Sequence, residues 1–211
     1  IRSCLVGSEM CIRDRPKVTD FCCATKPIRK QREKVVPLCE GIVLEIGAGS
    51  GLNFPFYKVQ NVKKLYALEP DEEMVKLAQK DKNNIEIDIT YLKEFSENIS
   101  LGDNSVDTIL LTYALCTIPD PMSALKEMKR VLKPKGHLIY CEHGMAPDPS
   151  IKRWQDWLNP INSYFCGGCN LNRDIAGLIV QGGFKIKKLD TMYLPGTTKV
   201  LGYNYWGTAV I

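Results

Sequence analysis

The 211-residue chain has no run of about 18 consecutive apolar residues, so nothing visible in it reads as a membrane span. It has only two histidines, His137 and His143, which limits where imidazole chemistry can reside. Internal repeats and low-complexity tracts are absent, which excludes a solenoid or a linker-dominated chain. Regular cysteine spacing is also missing. Nine cysteines are present, but Cys166 and Cys169 make the one CxxC pair, and buried reduced thiols in a cytoplasmic protein suit the rest better than a disulfide framework. The one basic cluster, Lys26, Arg29, Lys30, Arg32 and Lys34, lacks interleaved aromatics. It reads as a solvated helix face, so no nucleic-acid partner is expected.

Hydrophobic residues make up 45% and charged residues 25% of the chain, the balance of an ordinary globular domain with a sizeable core. Ile1–Arg15 (IRSCLVGSEMCIRDR) shows no helical or strand periodicity and resembles translated sequencing-adapter sequence, so it is set aside from fold reasoning. It carries three cations and two anions, and without it the net charge drops from +4 to +3. The true N-terminus, and any anchor on it, therefore lies outside what the sequence reveals. The expected division is an N-terminal helical segment over 16–40 and one catalytic domain over 41–211.

The most informative stretch is Val43-Leu44-Glu45-Ile46-Gly47-Ala48-Gly49-Ser50-Gly51. Val43 to Ile46 reads as a buried strand, and the three glycines allow a sharp turn and close approach of bare backbone to a ligand. Glu69, about 20 residues on at the end of the next apolar run, suits the two hydroxyls of a ribose. The glycines fall at i, i+2 and i+4, whereas a dinucleotide fingerprint wants the third at i+5, where Leu52 stands. Glu45 would repel a pyrophosphate but attract, directly or through water, the ammonium of a methionine moiety. The residues thus favour S-adenosylmethionine over a dinucleotide, with Gly47, Ala48, Gly49, Gly51, Asn53, Glu69 and Pro70 around it.

Strands are expected at Ile42–Ile46, Leu65–Glu69, Ile85–Tyr91, Val106–Thr112, His137–Glu142, Phe184–Met192 and Leu201–Ile211. Helices are expected at Pro27–Pro37, briefly at Asn53–Tyr57, from Asp71, from Pro121 to a stop at Lys133–Gly136, around Lys152–Leu158 and over Arg173–Val180. This alternation argues an α/β, mostly parallel, doubly wound sheet with an antiparallel C-terminal hairpin.

Ligands in such sheets sit beyond the carboxyl ends of the strands. His137 begins its strand and reads as structural. His143 follows its strand's end and is the candidate general base, with Glu142 beside it to orient or charge the imidazole. Ser96 and Glu97 come within range of an adenine. Thr112, Tyr113, Leu115, Cys116 and Thr117 are expected to floor the pocket near the sulfonium, Cys116 as a small apolar lining residue in preference to a methylated nucleophile. Cys166, Cys169, Cys141 and His143 invite a zinc reading, but the irregular spacing argues for no metal. Trp154 and Trp157 either line the acceptor pocket or pack in the core.

The segments VLEIGAGSGLNFPFY, LTYALCTIPDP, ALKEMKRVLKPKG, CEHG, RWQDWLNP and GGCNLNRD resemble the class I S-adenosylmethionine-dependent methyltransferases. More narrowly, they are similar to bacterial relatives of the animal methyltransferase-like thiol S-methyltransferases. The resemblance implies the Rossmann-like seven-stranded sheet of that class, with Glu45, Gly47, Gly49, Gly51 and Glu69 holding the cofactor. It implies a small acceptor, a thiol in the first instance and an amine or phospholipid headgroup in the second, with Asn170 and Arg173 of the last segment facing it. A cofactor-binding protein without catalysis is a third reading. Phe95 departs from the class, standing where many members place an adenine-binding acid.

Overall fold

The structure, a computed structural model, describes residues 23–81 and 85–211. The adapter-like Ile1–Arg15 lies outside them. Helix α1 (Lys26–Val35) and a 3-10 turn (Val36–Leu38) lead into strand β1 (Gly41–Ile46). Then come β2 (Val62–Leu68), α2 (Glu72–Asp81), β3 (Ile89–Leu92), β4 (Val106–Thr112) and α3 (Pro121–Val131). Strand β5 (Leu132–His143), α4 (Pro149–Phe165), α5 (Ile175–Gln181), β6 (Lys185–Tyr193) and β7 (Tyr203–Val210) complete the chain. The seven strands form one sheet in the order β3-β2-β1-β4-β5-β7-β6. Neighbours among β1 to β5 pair in parallel, whereas β7 runs antiparallel to both β5 and β6. The expected α/β sheet with its antiparallel hairpin is therefore present.

The central strands are buried on both faces, as parallel strands covered by helices must be. Leu44 and Ile46 of β1, with Ile109 and Leu111 of β4, face Leu125, Met128, Ile175 and Ile179 of α3 and α5. Val43 and Leu110 face the opposite way, into a second cluster with Val35, Phe54, Tyr57 and Ala78. Each large aliphatic side chain fully removed from water here contributes roughly 1.5–3 kcal/mol. Asp120 starts α3 by accepting the N–H groups of Met122 and Ser123, each at 3.1 Å.

Several boundaries differ from the sequence reading. Asn53–Tyr57 yields only a 3-10 turn, Phe54–Phe56, because the chain leaves helical geometry at Tyr57, ψ 137°; Pro55 sits in its first turn, where no N–H is needed. Lys133–Gly136 does not part α3 from the next strand. Pairing jumps from Val106–Leu132 to Thr108–His137, so these residues form a bulge within β5, where Pro134 needs no ladder partner. Strand β3 starts at Ile89, not Ile85, and α4 runs through Pro160 well beyond Leu158.

Gly207 in β7 is demanded by packing. A Cβ there would run into the carbonyl of Lys188 on β6 and lie 2.8 Å from the Tyr140 hydroxyl, which donates to that same carbonyl at 3.1 Å. Gly207→Ala is expected to lower stability by about 1–3 kcal/mol, the usual effect of overpacking. Urea unfolding should show a lower midpoint with an unchanged slope; an unchanged midpoint would mean that β6 and β7 part freely.

Candidate active site

The loop after β1 turns on glycines in left-handed backbone, with φ of +66° at Gly47, +56° at Gly49 and +87° at Gly51. A Cβ on Gly47 would come within 2.8 Å of the Ala114 methyl, and one on Gly51 within 2.7 Å of the Phe54 ring. The Gly49 N–H donates to Glu69 Oε2 at 3.0 Å, and the Asp71 N–H donates to Glu69 Oε1 at 3.0 Å. Burial pushes the Glu69 carboxyl above its ordinary value against these two bonds. A cleft of about 420 Å³ opens over this loop, within the size range of small-molecule sites. Gly47, Ala48, Gly49, Glu69, Pro70, Ser96, Glu97, Thr112 and Tyr113 all line it, as expected from sequence.

Glu45, Asn53 and Gly51 are corrections. Glu45 is 1% exposed, lies behind the glycine loop and does not line the cleft. Its carboxylate accepts from Asn53 Nδ2 and from the Tyr57 hydroxyl, each at 2.7 Å. Asn53 is buried too and spends its side chain on Glu45, Thr112 and Arg32. Strand alternation explains this: Ile46 turns to the cleft and Glu45 turns away. Gly51 faces the space behind, beside Phe54. Desolvation raises the Glu45 carboxyl to about 7.

The expected solvated helix face is also partly overturned. Arg32 is buried, donates to Asn53 Oδ1 at 2.7 Å and Thr112 Oγ1 at 3.0 Å, and lies 5.4 Å from the Tyr113 ring centre. It reaches the cleft wall, as do Met74, Phe95 and Ile118, none of which sequence reasoning chose. No apolar stripe on α1 marks Arg32, and only its neighbour Val35 hints at an inward face. Phe95 had been noted as a departure; it is 62% exposed at the cleft lip, where a flat ring can stack on a base.

The loop after β4 is held from several sides. Tyr113 adopts φ +54°, costly for a residue other than glycine. Its N–H donates to Cys141 O at 3.0 Å, and its hydroxyl donates to Asn204 Oδ1 at 2.6 Å. Glu142, fully buried, accepts the N–H groups of Ala114 at 2.8 Å and Leu115 at 3.1 Å. Its carboxylate therefore serves this loop, not the His143 ring it was expected to orient. Asn170 donates its side-chain amide to Cys116 O at 3.0 Å, and its backbone N–H reaches the same oxygen at 2.9 Å. The Arg173 guanidinium caps the carbonyls of Leu115 and Ile118. Asn170 and Arg173, expected to face an acceptor, clamp the loop instead.

Inside this clamp three side chains from distant segments meet. His143 Nε2 lies 2.8 Å from Cys169 Sγ, and Cys169 Sγ lies 3.8 Å from Cys116 Sγ. The Cys169 thiol, followed by His143, draws Cys116 well below its ordinary thiol value, and the hydrogen bond to Cys116, followed by burial, raises Cys169. Burial opposes charge on His143, but Cys116 holds it above its ordinary value. The group adjoins the cleft wall: Thr117 follows Cys116, Gly167 precedes Cys169 by two residues, and both Thr117 and Gly167 line the cleft. Cys141 stays outside it, its buried thiol pushed up to about 12 and donating toward the Tyr113 hydroxyl. Trp154 and Trp157 leave the site altogether. They are 56% and 65% exposed and stack edge-on, because α4 turns Gln155 and Asn162 inward.

A glycine cradle at the first strand's carboxyl end, an acid on the second strand's tip and a seven-stranded sheet with reversed β7 converge on one class. Residues 44–140 match the family described as "Methyltransferase domain". The chain is 30% identical to thiol S-methyltransferase TMT1B of Rattus norvegicus over 81% of this chain and 71% of that one. It belongs to the class I S-adenosylmethionine-dependent methyltransferases. Thiol S-methyltransferase TMT1A of Homo sapiens is 27% identical, with 80% and 70% covered. A demethylmenaquinone methyltransferase of Staphylococcus epidermidis is 28% identical, with 70% and 52% covered. Among solved structures, a methyltransferase from Thermotoga maritima shares the fold at TM-score 0.68 and 22% identity, covering 94% of this chain and 96% of that one. As a methyltransferase of this class the enzyme takes its methyl group from S-adenosylmethionine, and the glycine cradle and Glu69 fit that donor.

Glu45 gives stability a pH signature. Its value of about 7 in the folded chain exceeds the ordinary 4.5, so the folded state keeps a proton that the unfolded chain releases between those limits. That contribution is full below about pH 4.5 and lost above about pH 7, roughly 3 kcal/mol in all. Glu45→Gln is expected to flatten this limb in denaturant titrations from pH 4.5 to 8. Parallel profiles for the two proteins would show that Glu45 is ionised throughout.

Proposed function

We propose that this methyltransferase acts on the sulfur of a small thiol. The observation that carries the reading is the Cys116–His143–Cys169 group at the cleft wall, and the thiol S-methyltransferase names of its relatives support it. S-adenosylmethionine supplies an electrophilic methyl on a sulfonium. The chain's own residues bind, align and dehydrate. Backbone of Gly47 to Gly49 supports the methionine portion, with Glu45 acting from behind through Asn53 and Thr112. Glu69 takes the ribose hydroxyls, and Ser96, Glu97 and the Phe95 ring receive the adenine. Tyr113 and Arg32 close the cleft toward α1.

A thiolate and a sulfonium cancel their charges as they react, so apolar walls such as Met74 and Ile118 favour the transfer. His143 handles the acceptor sulfur behind the cleft wall, with Cys116 beside it next to the lining residue Thr117. The acceptor is a small molecule, not nucleic acid. No helix among the described residues is long and apolar enough to cross a membrane. We place the reaction in the cytoplasm, where the site's thiols remain reduced.

The test is mass spectrometry of products from a mixed pool of small thiols, amines and phosphatidylethanolamine. Thioether products are expected, and methylated amine or lipid alone would overturn the thiol reading. His143→Ala is expected to lower turnover by about 100-fold or more. Calorimetric affinity for S-adenosylhomocysteine should stay within about threefold, since His143 is not a lining residue of the donor cleft. Equal loss of both would assign His143 to folding.

A further inference from the structure

We propose that Cys116, His143 and Cys169 bind a thiophilic divalent metal ion, zinc in the first instance, with the acceptor's sulfur as its fourth ligand. The last clause rests on the thiol reading, whereas the metal site itself does not. The three donors come from the loop after β4, the end of β5 and the turn after α4, and their ligand atoms lie within 4.8 Å of one another.

Two sulfurs each 2.3 Å from a tetrahedral zinc stand about 3.8 Å apart. Cys116 and Cys169 already hold that separation, at 3.8 Å. His143 Nε2, at 2.8 Å from Cys169 Sγ, sits inside the about 3.5 Å that a shared ion would set, so the ring need draw back by less than an ångström. Two thiolates and an imidazole are soft to borderline ligands that select zinc over magnesium or calcium. Three protein ligands with a vacant fourth position mark a working zinc site, where four mark a structural one. Neither Cys141 nor Cys166 joins the trio to close it.

The surroundings hold the donors rather than merely filling space. Asn162 donates to Cys169 O at 2.7 Å, Asn170 fixes Cys116 O, and Glu142 and Arg173 pin the backbone on either side of Cys116. Asn170 and Arg173 are expected from sequence to face an acceptor, and Glu142 to orient the His143 ring. Their common task is to present Cys116 to the other two ligands.

Charge fits as well. Two thiolates and a neutral imidazole cancel the ion, and an acceptor thiolate leaves the centre at one negative charge, opposite to the sulfonium. The acceptor's S–H proton leaves to solvent as its sulfur binds. A lone pair on that sulfur then forms the new S–CH3 bond while the sulfonium's own S–CH3 bond breaks. Neutral S-adenosylhomocysteine and a weakly held thioether depart.

The experiment is zinc analysis of the full chain, produced in zinc-supplemented medium and purified without chelators. Cobalt-substituted protein is then titrated with 2-mercaptoethanol and followed by visible absorption. One zinc per chain is expected in the wild type and in Cys166→Ser, and about a tenth of that or less in Cys116→Ser and Cys169→Ser. Affinity for S-adenosylhomocysteine should be unchanged in all four, which shows that the variants fold. Mercaptoethanol should shift the cobalt spectrum. Wild-type protein that stays metal-free, with thiols or a Cys116–Cys169 disulfide in the site, would overturn the assignment. So would zinc lost with Cys166. A cobalt spectrum indifferent to thiol would overturn the fourth-ligand role alone. Undiminished thiol methylation by metal-free enzyme would refute the metal's part while leaving the thiol reading intact. Zinc binding with methylation of amines alone would do the reverse.

Discussion

Glu142 is the point on which the site turns. A carboxylate with no exposure at the end of β5 is costly unless it is hydrogen-bonded, and here it collects the N–H groups of Ala114 and Leu115 across the sheet. Burial raises it well above the ordinary carboxylate range. This contact fixes the first residues of the loop after β4, and the carbonyls of the same loop are taken by Asn170 and Arg173. With its amides held from one side and its carbonyls from the other, the loop has little freedom. The strained backbone at Tyr113 persists because its neighbours are fixed in this way. Remove the carboxylate and the cleft wall at Ala114 and Thr117 loosens together with Cys116.

The same device appears at the end of β1. Glu45 is buried, raised by desolvation, and engaged with Asn53 and Tyr57 beyond the glycine turn. Both acids stand at carboxyl ends of parallel strands, and both brace a loop that lines the cleft without lining it themselves. Arg32 joins the two halves. It bonds Asn53, whose amide meets Glu45, and Thr112, one residue before Tyr113. Helix α1 is thus keyed into the cleft by a buried cation, and its remaining charges face water.

The glycine-rich half of the cleft was legible because it is written in backbone. Glycines of fixed spacing behind an apolar run, and an acid after the next run, need no tertiary contact to be read. All seven strands were found for the same reason, since period and apolar content mark them locally. What the sequence could not show was direction. Glu45, Asn53, Asn170 and Arg173 belong to the correct segments, but their side chains turn to neighbouring loops. Trp154 and Trp157 have the spacing of a buried stripe, yet Gln155, Asn159 and Asn162 claim the inner face through hydrogen bonds that no hydropathy pattern records. Boundaries moved where the backbone turned out of pattern: Tyr57 is already extended, and Pro134 sits in a bulge that lengthens a strand.

The zinc-like arrangement shows the same limit from the other side. Spacing along the chain suggested Cys166, Cys169, Cys141 and His143, and argued against them for irregularity. Cys141 shares a strand face with His143, two residues on, but its thiol is taken up beside the Tyr113 hydroxyl and stays out of the trio. Cys116, 53 residues from Cys169 in sequence, enters because the β4 and β5 ends are neighbours in the sheet. The parallel register sets Thr112 beside Cys141, so the residues that follow each strand emerge on one edge. Topology, not motif, therefore gathers the thiols beside the wall of the cleft.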